Sequence, residues 1–129
     1  MSAYEQIRVT ASPPVVLAAL RGVLKERGLI EYAVVDHGRD MAAAGAPGFV
    51  AWTVIFGSPA AGARLLAREL AAAVDIPLRL AVVQATDGAD IVLRDMRTLL
   101  AAEAQDIADA FTSVLHGIAA QARERATTT

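Results

Sequence analysis

Ala51-Trp52-Thr53-Val54-Ile55-Phe56, followed at once by Gly57-Ser58-Pro59, is the stretch whose reading decides the fold. The first six residues carry no charge and are rich in β-branched and aromatic side chains, so both faces of the strand they predict are suited to burial. Such a strand belongs near the centre of a sheet. Gly57-Ser58-Pro59 then stops it: Ser58 offers a capping hydroxyl, and Pro59 suits the first position of a helix because its missing N–H has no partner there anyway. A helix is expected from this turn through Val74.

Upstream, Leu29 to Val35 reads as another strand, and Asp36 as the N-cap of a short helix that runs toward Ala42-Ala43-Ala44-Gly45 and ends at Pro47-Gly48. Earlier still, Glu5 to Ala11 alternates, with Ile7, Val9 and Ala11 on one face and Gln6, Arg8 and Thr10 on the other. Ser12-Pro13-Pro14 repeats the cap-then-proline device. Val16, Leu17, Leu20, Val23 and Leu24 form one helical stripe, and Gly28 supplies a left-handed stop.

Downstream, Pro77 to Ala85 and Ile91 to Asp95 read as two strands joined through Asp87-Gly88, a hairpin signal. A long helix is expected from Thr98 to Arg125, with Leu100, Ala104, Ile107, Phe111, Val114 and Ile118 as a seam against the sheet or a partner chain. Arg123 to Thr129 is read as a frayed tail. The order βαβαβαββα implies one α+β domain over residues 1–129, with a core of about 3–122. Its five strands form a mixed, largely antiparallel sheet covered mainly on one face by amphipathic helices.

Of the 129 residues, 55% are hydrophobic, and mean hydropathy is +0.43. Much of this excess is alanine, which fills helices without demanding a large core, and the surplus points to helix faces covered by a sheet or by a second subunit. A net charge of −2 argues against nucleic acid, since no basic field collects phosphates. The absence of cysteine removes thiolate metal sites, disulfides and cysteine nucleophiles. Met41 to Ala63 is uncharged, but its glycines and prolines break it into pieces too short for a membrane span. Met1 to Arg8 lacks the apolar core of a signal peptide, so a cytoplasmic protein is expected.

Asp36-His37 stands where a strand hands over to a helix, and a histidine beside a carboxylate suits acid–base work; the plainer reading, and the favoured one, is Asp36 as an N-cap and His37 as a first-turn residue. The amides that open the helix after Gly57-Ser58-Pro59 suit a carboxylate or phosphate, although no nucleotide fingerprint is present. Arg64 and Arg68, one turn apart, and Arg79 and Arg94 in strands are candidate clamps for an anionic ligand, or ordinary surface arginines. Neither a metal site nor a cofactor is expected; His116 has no second ligand one turn away, and Asp106 and Asp109 fit a solvent face.

Val35-Asp36-His37, Gly45, Val54-Ile55-Phe56-Gly57-Ser58-Pro59-x-x-Gly62 and Val74-Asp75-Ile76-Pro77-Leu78-Arg79 together resemble the bacterial family known as domain of unknown function 302, over about residues 3–103. The resemblance implies a small, often dimeric α+β fold and no particular reaction. It aligns the family's recurrent aspartate and histidine with Asp36 and His37, its turn with Gly57 and Pro59, and a later aspartate with Asp75. This chain departs from the family at Ser58, Ala63, Trp52 and Leu93-Arg94-Asp95-Met96.

Three functions follow as expectations. The first is a dimeric binding domain that encloses a small, partly apolar ligand near Trp52, with His37 and an arginine fixing its polar end. A cofactor-independent cyclase, isomerase or lyase is the second, with His37 moving a proton and Asp36 or Asp95 orienting it. The third is an interaction protein using the seam from Leu100 to Ile118.

Overall fold

The computed structural model describes residues 3–128. β1 (Tyr4–Val9) buries Val9 and exposes Arg8. α1 (Pro13–Glu26) begins at the two prolines; Ser12 occupies the N-cap, but its hydroxyl makes no capping bond, so the fixed proline φ alone sets the start. Gly28, at φ 70°, turns the chain out of the helix. β2 (Ile30–Asp36) leads into α2 (His37–Ala43), whose first turn is capped by the Asp36 carboxylate accepting from the Arg39 amide at 3.0 Å. β3 (Ala51–Gly57) and α3 (Pro59–Arg68) follow, then the hairpin of β4 (Leu78–Ala85) and β5 (Gly88–Arg94), and finally α4 (Gln105–Thr127).

The sheet order is β1-β5-β4-β3-β2, and every pairing is antiparallel. β1 and β2 occupy opposite edges, so α1 must cross the sheet between them. In doing so it packs on β2 to β5, while α4 packs on β1 and β5 and along α1. The face they cover carries Val54 and Phe56 of β3, Leu80 and Val82 of β4, and Ile91 and Leu93 of β5, all essentially inaccessible to solvent. Burying each large aliphatic or aromatic side chain stabilises the fold by roughly 1.5–3 kcal/mol. Ala19, Ala119, Ala122 and Ala126 are buried in the same cluster. Small side chains at these positions suit close packing of α1 along α4.

Four local expectations change. The helix expected from Pro59 through Val74 breaks at Glu69, whose extended backbone (φ −149°, ψ 100°) separates α3 from a 3-10 turn over Leu70–Asp75 and lets Ala72 turn inward. The last helix starts at Gln105 rather than Thr98, because Asp95 and Gln105 together hold the intervening chain in two short 3-10 turns. Asp95, only 6% exposed, accepts from the Arg97 amide, Nε and Nη2 at 2.9, 2.9 and 2.7 Å, while the Gln105 side-chain amide donates to the Leu100 carbonyl at 2.8 Å. The tail expected from Arg123 is helical through Thr127: Ala126 is buried, and Arg125 bonds Glu26 of α1 at 2.5 Å. In the seam, Leu115 takes the interior position and Val114 is left 38% exposed. Leu100, Ala104 and Ile118 of that seam are spent on the chain's own core. Among the described residues no helix is long and apolar enough to cross a membrane.

The hairpin turn is Thr86-Asp87, since Ala85 pairs directly with Gly88. Gly88 is required for a different reason. At φ 152°, a Cβ there would lie 2.1 Å from the Val9 carbonyl oxygen, where the end of β1 presses against β5. Gly88→Ala is therefore expected to cost about 1–3 kcal/mol, read as a lowered Tm. Gly45→Ala, at φ 87° with nothing within 4 Å, tests backbone strain alone and should fall less.

The Arg97 guanidinium, aided by the Arg97 amide and opposed by burial, holds the Asp95 carboxyl down from 3.8 to about 2. A depressed native pKa contributes stability that is complete above about pH 4 and lost as pH falls from 3.8 toward 2. Asp95→Asn should cost on the order of 2 kcal/mol at neutral pH. It should also flatten the acid limb of stability against pH in that window, as followed by urea melts.

Candidate functional site

β3 runs without a bulge, so its side chains alternate strictly between the two faces. Trp52 shares parity with Val54 and Phe56 and packs, half-buried, against the core beneath the helices. Thr53 points the other way. The His37 ring, at the first position of α2, meets Thr53 with Nε2 2.7 Å from Oγ1. His37 and Trp52 therefore lie on opposite sides of the sheet and share no hollow. Asp36 is turned onto its own helix cap, and Asp95 is held by Arg97 at the far end of the sheet. Four residues of register, roughly 13 Å, separate the Asp36–Trp52 row from the Phe56–Leu78 row near Asp95. His37, Asp36 and Asp95 are thus not gathered around one point. Arg79 is exposed and, like Arg94, lies on the face opposite the core; Arg94 bonds the Tyr4 hydroxyl at 3.0 Å and stacks over its ring. His116 pairs with Glu5 of β1.

Gly57, Ser58 and Arg64 are brought together. They line a cleft of about 820 Å³ between α3 and α4. Its floor is Phe56 and Leu78, at the end of the central strands, and its walls are Leu66 and Ile76 on one side and Ile107, Phe111 and Val114 on the other. The break at Glu69 makes room for it. α3 is anchored by the fully buried Leu65 and then ends, so the chain leaves before the helix can close on α4. Ser58 caps α3 with a long 3.4 Å bond from the Ala61 amide to Oγ. At the rim, Arg68 donates to the Asp106 carboxylate at 2.5 Å, bridging the two helices and pulling that carboxyl below its usual range.

The remaining wall was not legible in the sequence. β2 and β3 slip register between Glu31 and Ala33, leaving Tyr32 as an extra residue. A bulge re-aims a side chain, and Tyr32 is carried to the cleft edge beside Gly57. A Cβ on Gly57 would lie 3.4 Å from the tyrosine ring, so the glycine that ends β3 also leaves space for it. One signal for the α4 wall did exist: the seam named Ile107, Phe111 and Val114. Their place at the margin of the buried stripe, rather than its centre, appears only once Leu115 is seen to occupy the interior.

No curated protein matches this chain. Among solved structures, the crystal structure of an uncharacterized conserved DUF302 protein from Bacillus stearothermophilus superimposes with a TM-score of 0.88 at 16% identity, covering 95% of this chain and 100% of that one. At that identity the likeness speaks for the fold. The family model described as "Domain of unknown function DUF302" matches residues 5–126, and on that match, which takes in nearly every strand and helix just described, the chain belongs to this family.

Proposed function

We propose that the chain is a small-molecule-binding protein whose site is the cleft between α3 and α4. One observation carries this reading: a hollow of about 820 Å³, walled by aliphatic and aromatic side chains, opens at the Gly57-Ser58 turn. Ligand sites are typically concave, largely apolar spaces of about 300–1,000 Å³ with a few polar groups at the edge. A ligand that displaces water from such walls gains roughly 25 cal/mol for each Å² of apolar surface covered. The proton-moving alternative asks for His37 in a cavity with an orienting carboxylate, and its near partner is Thr53.

Ala110 lies on the cleft wall yet is exposed, so it can be enlarged without disturbing the core. Ala110→Trp is expected to weaken binding of a neutral apolar dye such as Nile red at least tenfold, whereas Ser113→Trp, on the neighbouring exposed turn, leaves it unchanged. Equal binding by all three proteins removes the cleft as the site. Trp52 lies a strand-length away, so a non-absorbing ligand such as decanol should not shift its emission. Tyr32→Trp in a Trp52→Phe background should report it.

A second observation bears on assembly. α1, α3 and α4 lie on one side of the sheet, leaving Val35, Ile55, Val83 and Val92 on the face that α2 reaches at one end only. We assign homodimer formation to this face. Val83→Asp should shift a dimer to a monomer in sedimentation velocity, and an unchanged sedimentation coefficient would remove the face as the contact.

A further inference from the structure

We propose that the ligand of this cleft is a monoanionic amphiphile, an apolar tail lying on Phe56, Leu78 and Phe111 with its charged headgroup at Arg64. This rests on the cleft being the binding site and adds the chemistry of the ligand. Three charged residues line the cleft: Arg64, Arg68 and Asp106. Arg68 and Asp106 neutralise each other at 2.5 Å, and Glu103 offers Arg68 only its main-chain carbonyl at 3.4 Å. Arg64 makes no hydrogen bond or ion pair among the described residues, so the rim carries one uncompensated positive charge.

The start of its own helix adds to that sign. The first turn of α3 holds no acidic residue to offset the positive end of the helix. The cleft therefore pairs an apolar interior with a cationic lip. An alcohol of the same tail would satisfy only the interior, and a cationic amphiphile would meet repulsion at the lip. A guanidinium, permanently charged and a fork of N–H donors, suits a carboxylate or sulfate oxygen pair. The charge is solvent-exposed, so its contribution is moderate and sensitive to salt.

Calorimetric titration of decanoate, decyl sulfate, decanol and decyltrimethylammonium into the full chain tests this, with Ala110→Trp as the blocked control. The proposal expects either anion to bind about tenfold more tightly than decanol, the tighter of the two naming the headgroup, and the cation to bind most weakly. Arg64→Gln should reduce anion affinity to that of decanol without changing decanol itself, and Arg64→Lys should restore most of it. Decanol binding as tightly as the anions, or anion affinity unmoved in Arg64→Gln, overturns the anionic ligand while leaving the cleft as an apolar site. Failure of decanol and both anions to bind overturns the cleft reading together with it.

Discussion

Burial of Val54 and Phe56 beneath α1 and α4 is the constraint from which the rest of the molecule follows. A strand has only two faces, and placing these two side chains in the core assigns every other residue of β3 to one side or the other. Trp52 goes with them and Thr53 goes away. Through the antiparallel registers, the same choice sends Leu80, Val82, Ile91 and Leu93 inward and places Arg79 and Arg94 on the far face. No side-chain rotamer can undo this division. It separates the imidazole of His37 from the indole of Trp52 more firmly than distance alone would.

The same burial explains where the cleft lies. α1 and α4 pack along one another with small alanines buried in the same layer, and together they cover most of the sheet. α3 is too short to extend that seal: one fully buried leucine, Leu65, holds it before the backbone straightens at Glu69. The result is an apolar gap at the end of the central strands. The bulge at Tyr32 and the glycine at position 57 shape its edge. Polar residues are few there, and they are placed at the rim, where solvent supports their charge.

Several charged residues that invite a chemical reading prove to hold the chain together. Asp36 closes the first turn of α2, and Asp95 with Arg97 organises the passage from β5 to α4. Beside it, the Met96 amide is satisfied by the buried Thr112 hydroxyl at 3.1 Å. A carboxylate at an element boundary has a structural task by default, because the amides of a helix start are otherwise without acceptors. Arg64 is the contrary case. It lines a cavity and answers to no carboxylate among the described residues.

The strands, the first helix, its glycine stop and the Asp36 cap could be read directly from the sequence, because each depends on periodicity or on the backbone preference of a single residue. The sequence also singled out the Gly57-Ser58 turn and, separately, Arg64, and packing sets both on one cleft. Register, parity across strands and the lengths of α3 and α4 were not. A bulge at Tyr32, the break at Glu69 and the replacement of Val114 by Leu115 in the interior each arise from contacts between segments distant in the chain. The location of the cleft belongs to this second group. Local sequence determined which segments fold as strand or helix, but a cavity is the space that those segments fail to fill, and only their packing decided where that space would be.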